Sequence, residues 1–245
     1  ALLAASNLAF YLGVSGYLQQ GVSWGLYSGL YLVMALIFML SRRVLPFFIE
    51  KGVGYAVTLR NSRYVDIASL VLFVVFWIAD LVAPNGVLVA LLAAGLFALH
   101  LWRWLGWHTP GIWRQPLLWS LFLAYAAFIV GFGLKAAVYF AGLSPYLAVH
   151  AFAVGGIGLT TLGMMARISL GHTGRNVFEP PAALPAVMLL LAAALLVRVL
   201  LPMLFAAQYG LWIMLSQGLW IAAFLVFLVL YTPILTQPRV DGQDG

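Results

Sequence analysis

Residues His150–Arg175 read HAFAVGGIGLTTLGMMARISLGHTGR. A histidine opens the stretch, about 17 apolar, small or hydroxylated residues follow, and the first basic residue is Arg167. It closes on Gly171-His172-Thr173-Gly174-Arg175. The run is long enough to cross a hydrocarbon core about 30 Å thick as one helix. A histidine near one end and a Gly-flanked His/Arg turn at the other are unusual for such a helix. Ionisable groups inside a span are costly and by default mark function.

The rest of the chain has the same character. Of its 245 residues 65% are hydrophobic and 7% charged. Soluble domains carry roughly 25% charged residues. The fold class is therefore all-α: a polytopic transmembrane helical bundle. The alternating ten-residue strands of a membrane barrel do not occur. Eight spans are predicted, near 1–18, 22–41, 64–83, 86–105, 117–140, 145–168, 182–206 and 210–234. Together they form one transmembrane domain over 1–236, and 237–245 reads as a polar disordered tail. Turn signals separate the spans, among them Pro84-Asn85-Gly86 and Gly142-Leu143-Ser144-Pro145. Pro46 is expected to stop the second span, leaving a basic segment over 41–63 that lies on the membrane surface or forms a loop.

Charge fixes the orientation. Ten of the twelve basic residues fall in four regions: 42–63, 103–114, 167–175 and Arg239. All four lie on one face if the spans alternate, so both termini are predicted cytoplasmic. The net charge of +6 reads as topology, with no nucleic-acid surface. No polar segment precedes the first apolar run, so no signal peptide is read. The absence of cysteine excludes disulfides, thiolate-bound iron–sulfur clusters and covalently attached c-type haem. No P-loop, HExxH or GxSxG sequence and no paired carboxylates appear. Five of the six acidic residues lie near or beyond the inner interface, which argues against a carboxylate proton relay.

The remaining candidates are few. His150 lies near the outer end of span six and His172 just past its inner end. They are 22 residues apart, about 33 Å along a continuous helix, so one metal cannot join them. His100 lies near the inner end of span four. Lys135, Arg198 and Asp80 share the outer depth of His150 on three other spans. The two bases could hold haem propionates or another anion while neutral His150 ligates a metal. Equally, Lys135 and Arg198 could snorkel to headgroups. Pro202 frees the Arg198 carbonyl from its helical partner. The glycines of span six suit close helix packing or a flat cofactor. The Gly171–Arg175 turn reads either as an anion-binding concavity or as a helix end with Arg175 on lipid phosphate.

The His150–Arg175 stretch resembles the signature of the NnrS family of bacterial membrane proteins. Ser41-Arg42-Arg43-Val44-Leu45-Pro46-Phe47-Phe48 is similar to that family's basic Pro-Phe-Phe-type loop. Pro116–Gly133, PLLWSLFLAYAAFIVGFG, sits where members have a similar helix before the histidine span. The resemblance implies a haem- and copper-containing protein of the bacterial inner membrane, tied to the nitric oxide response and denitrification. Its partners would be the lipid bilayer and nitric oxide or a related small molecule. It carries over His150, His172 and Arg175 as functional positions, with His100 a further metal candidate. Members begin with further helices that hold a His-Glu-Met segment, so this chain looks like the C-terminal two thirds of one. The helix around Phe122 often carries a histidine in relatives and lacks it here. The resemblance implies a process more firmly than a reaction, so whether the protein is an enzyme stays open. The rival readings are an anion or haem transporter without redox chemistry, and a non-catalytic subunit completed by missing N-terminal helices or a partner.

Overall fold

A computed structural model describes residues 1–243, all helix and connecting turns, with no strand among the described residues. Eight helices follow in chain order: α1 Leu2–Val14, α2 Gly21–Gly52, α3 Arg63–Val82, α4 Val87–Trp107 and α5 Pro116–Ala141. Then come α6 Pro145–His172, α7 Leu184–Leu204 and α8 Tyr209–Thr236. Seven of them, α2 to α8, are long and apolar enough to cross a bilayer. The protein is a multi-pass membrane protein, and its outer surface is built for lipid. Helix α1 is apolar but has 13 residues, about 20 Å, shorter than the hydrocarbon core. It pairs with α2 through glycines: a Cβ on Gly25 would lie 2.6 Å from Phe10 Cβ and 2.7 Å from the Ser6 carbonyl.

Local signals set the boundaries. Ser62 caps α3, its Oγ accepting from the Val65 N–H. Pro116 and Pro145 stand in the first turns of α5 and α6, where a missing N–H costs nothing. Gly142 ends α5 at φ 66°, the left-handed geometry glycine tolerates. The expectation that Pro46 stops span two is overturned, because α2 runs on to Gly52. Leu45, Pro46 and Ile49 are buried, and Gly52 packs on Leu118. The apolar contacts of this turn outweigh the one backbone bond proline removes. The surface segment expected over 41–63 thus shrinks to about ten residues. Its Tyr55 hydroxyl meets Thr109 and accepts the Gly111 N–H at 3.0 Å.

Helix α5 is the central post and the most buried span. One of its faces, with Phe122, Phe128 and Phe132, joins the core formed by α2, α3 and α4. Its other side, with Leu117 and Ala124, joins the core shared with α6, α7 and α8. Helix α6 closes on α5 through glycine. The positions a Cβ would take on Gly131 and Gly156 are occupied by the rings of Phe152 and Phe128. On Gly155 a Cβ would come within 2.6 Å of both Ala127 and Leu195. Between Ala151 and Gly158 the backbone of α6 is wound as a π-helix, directly after His150.

These contacts make a paired expectation. Gly131→Val should lower the thermal midpoint of the detergent-solubilised protein, since overpacking costs about 1–3 kcal/mol. Gly218→Val, where a Cβ meets nothing within 4 Å, should leave it within about 0.5 kcal/mol. Equal effects would show that the α5–α6 contact is not tight.

Candidate functional site

Three polar clusters interrupt the apolar bundle, and helix periodicity positions two of them. Along α3 the buried residues are Ser69, Phe73, Phe76 and Asp80, spaced four, three and four apart, one stripe of a helix. The stripe is polar at both ends and phenyl in the middle. At its inner end Arg103 of α4 donates to Asp66 Oδ1 at 2.8 Å, to Ser69 Oγ at 2.9 Å and to the Tyr125 hydroxyl at 2.9 Å. Arg42 approaches the other Asp66 oxygen at 3.8 Å. Tyr125 also lies 2.6 Å from His100 Nδ1. Arg103 also approaches His100 Nδ1 at 3.4 Å; since arginine can only donate, Nδ1 acts as the acceptor there, consistent with the imidazole proton on Nε2. That nitrogen is buried without a partner, and the rings of Phe38 and Phe132 flank the imidazole at 4.6 and 5.6 Å. His100 is therefore engaged at Nδ1, while Nε2 is buried without a partner.

At the outer end Asp80 lies 2.8 Å from Lys135 Nζ and accepts from the Tyr31 hydroxyl at 2.6 Å. Lys135 also donates to Asn85 Oδ1 at 3.0 Å. Asn85 stands at φ 63°, the one left-handed residue other than glycine among the described residues. Asparagine tolerates that geometry, and here it turns its amide onto the ammonium. Lys135 and Asp80 are both 4% exposed. Lys135 therefore does not snorkel; its charge is matched by Asp80.

The third cluster is different. His150 and Arg198 are half-buried and within electrostatic range of each other. Arg198 Nε is buried with no hydrogen-bond partner, and no carboxylate pairs with it among the described residues. Helix α5 stands between this pair and the outer ion pair. Leu134 packs toward Ala151 and Val199, while Lys135, one residue on and turned by about 100°, faces Asp80. The four outer residues expected at one depth thus form two pairs. Ala151 and Val199, the neighbours in sequence of His150 and Arg198, line a groove of about 340 Å³ between α5, α6 and α7. Its walls are aliphatic, with Ala127, Leu134, Leu195 and Met203 among them.

The family-model comparison matches a description reading NnrS protein over residues 1–239. The chain belongs to the NnrS family. No curated protein and no solved structure matches it. In this NnrS protein the Gly171–Arg175 turn acts as a helix end. The N–H groups of Gly174 and Arg175 donate to the Gly171 and Leu170 carbonyls at 3.3 and 2.9 Å, and Gly174 sits at φ 72°. Those amides are therefore spent on α6 itself and are not free for an anion. Arg175 donates to the Ile234 carbonyl at 3.2 Å and to Gln237 Oε1 at 3.3 Å, and Val240 N–H donates to Thr173 O at 3.3 Å. The turn clamps the end of α8 and the start of the tail; residues 244–245 lie outside the described residues. Arg239 bonds Asp241 at 2.6 Å and holds its carboxyl down to about 2, so that pair stays charged throughout the physiological range. His172 is exposed. The α6 helix is unbroken from Pro145 to His172, which keeps His150 and His172 about 33 Å apart. No group of three or more His, Asp or Glu side chains converges among the described residues.

Tyr31, Asn85, Arg103 and Tyr125 did not stand out in the sequence. The α3 stripe ending in Asp80 was a signal for two of the clusters, and Arg103, three residues after His100, shared its helix face. The α5–Asp80 pairing is testable. Asp80→Asn should strand a buried ammonium and cost about 3–5 kcal/mol. Asp80→Leu with Lys135→Met should recover most of that loss in detergent unfolding. If the double variant is no better than Asp80→Asn, the pair is not the stabilising contact.

Proposed function

We propose that this protein binds haem through His150 in the outer half of a bacterial inner membrane, and acts there in nitric oxide metabolism or defence. The observation carrying this reading is the unpaired His150–Arg198 couple, whose sequence neighbours Ala151 and Val199 line an aliphatic groove. A half-buried cation with no carboxylate beside it and its Nε enclosed calls for an anionic partner. A haem would fit that combination: the His150 imidazole would ligate its iron, the Arg198 guanidinium would pair with a carboxylate, and the aliphatic walls would take the macrocycle. When bound it would supply an iron able to take nitric oxide. The chain's own residues hold it, orient it and keep water away. The π-wound turn after His150 belongs to a class of helix distortion found often at functional sites.

Lys135, the other base expected at a propionate, is matched by Asp80, so Arg198 carries that role alone. Arg175 is engaged in the tail clamp. Copper has less support. A mononuclear copper site needs several converging donors, and His100, His150 and His172 are dispersed. The carrier reading would be favoured by a helix interrupted at the glycines, and α6 passes through them unbroken.

The test is an optical spectrum of purified protein, oxidised and dithionite-reduced, beside His150→Ala and His172→Ala. The Soret band should be present in wild type and His172→Ala and lost in His150→Ala. Arg198→Leu should keep the band with weakened haem retention. Loss of the band only in His172→Ala would move the site to the inner face. No band in any folded preparation would sink the haem reading.

A further inference from the structure

The inner ends of α2 and α6 form a cleft that the His150–Arg198 couple does not use. Helix α2 meets α6 at the π-wound segment Ala151–Gly158. From Leu159 onward α6 packs mainly on α5, α7 and α8. The two helices therefore part on either side of α5, which floors the gap: Gly52 of α2 lies on Leu118, and Gly163 of α6 lies on Leu121. Arg167 reaches across. Its guanidinium carbon stands 3.8 Å from the centre of the Phe48 ring.

The charge at this cleft is unbalanced. Arg167 is half-buried, and no carboxylate pairs with it among the described residues. Stacking on Phe48 occupies one face of the guanidinium and leaves its N–H bonds pointing outward in the plane. Unlike Arg198 Nε, no nitrogen of Arg167 is sealed away from its surroundings. Lys51 follows Phe48 by three residues on α2, one turn nearer the basic loops and within about 60° of it around the helix axis. It is exposed and has no carboxylate partner among the described residues either. Glu50 points about 160° away from Phe48. One turn deeper the walls are apolar, with Val44 on α2 and Met164 on α6 both half-buried. Leu40 and Met165 beside them are exposed to the lipid side. The cleft thus sets two unmatched cations over an apolar slot.

We propose that this cleft seats one anionic phospholipid, with its phosphodiester on Arg167 and Lys51 and an acyl chain along Val44 and Met164. Arginine takes a phosphate through paired N–H bonds, and lysine adds a point charge. Two cations without an acid repel a headgroup that carries its own ammonium. The headgroup is therefore of the phosphatidylglycerol type, with phosphate and no amine. The lipid bridges the inner ends of α2 and α6 where protein contact between them is sparse. The site is separate from the His150–Arg198 couple and does not depend on haem being bound there.

The test uses the full chain, delipidated in dodecyl maltoside, and follows its thermal midpoint as lipid is added. A ligand that binds only the folded state raises the midpoint saturably. Dioleoylphosphatidylglycerol should raise it by about 2–4 °C, and dioleoylphosphatidylcholine and free glycerophosphate should not. Substituting Arg167 disturbs its packing on Phe48, so the decisive variant is Lys51→Gln, at an exposed side chain. It should keep the wild-type midpoint without lipid and need at least about fivefold more phosphatidylglycerol for the same rise. Arg63→Gln removes an exposed cation at the start of α3, away from the cleft, and should respond as wild type does. The proposal is overturned by an absent rise in wild type, or by an unchanged response in Lys51→Gln. Equal rises with both lipids would show ordinary contact with any headgroup and overturn it. Equal losses in Lys51→Gln and Arg63→Gln would show a diffuse charge effect and overturn it too. A rise with glycerophosphate would assign the cations to a soluble phosphate compound and overturn it as well.

Discussion

A charge inside a bilayer must find a partner, and the arrangement of this protein follows from how each one does. Asp80 and Lys135 meet at 2.8 Å with both side chains almost fully enclosed. Asp66 and Arg103 meet at 2.8 Å at the other end of the same α3 stripe. Removing one partner from such a pair is far more damaging than its net contribution suggests, because a bare charge is left in a low-dielectric setting. These two pairs fix how α3 and α4 sit against α2 and α5. The phenyl rings of Phe73, Phe76 and Phe132 fill the space between them. That dry layer also separates the ionisable groups of the two faces. Against this background the half-buried Arg198 is the exception. It has no acid, its Nε has no acceptor, and the nearby basic side chain is a histidine.

The same helices that satisfy the charges build the groove. Gly131, Gly155 and Gly156 let α5 and α6 approach until the Phe152 and Phe128 rings fill the space a side chain would take. Close approach on that side leaves His150, at the junction with the π-wound segment, within electrostatic range of Arg198 on α7. The glycines are thus explained by helix packing, and the site lies on the flank of that contact. Proximity of α7 supplies Arg198 and the far wall of the groove. Helix packing and a cofactor are not rival explanations for the glycines of α6; the packing creates the edge that a cofactor would use.

Much of this was legible in the sequence, and the parts that were not have physical reasons. Apolar run length and turn signals located the seven long helices, α2 to α8. They failed at Pro46, where tertiary packing of Leu45 and Ile49 carries α2 past a residue that locally disfavours helix. They also assigned Arg103 to a loop by its charge, whereas it completes a buried network with Asp66, Ser69 and Tyr125. The depth of Lys135, Arg198, Asp80 and His150 could be read from position along the spans. Which of them face each other could not, since that depends on rotation about each helix axis. Leu134 and Lys135 are consecutive yet belong to different clusters. The Gly171–Arg175 stretch looked equally like an anion cradle and a helix end. The direction of its amides, a backbone property, decides for the helix end.

The central claim is that His150 and Arg198 hold a flat anionic cofactor between α5, α6 and α7. It is tested most directly by an electron-microscopy map of the protein purified in lipid nanodiscs with whatever it carries. The account predicts planar density in that groove, joined to the His150 ring and with one edge on Arg198. Acyl-chain density alone in the groove, or a planar group at His100 or His172, would contradict it.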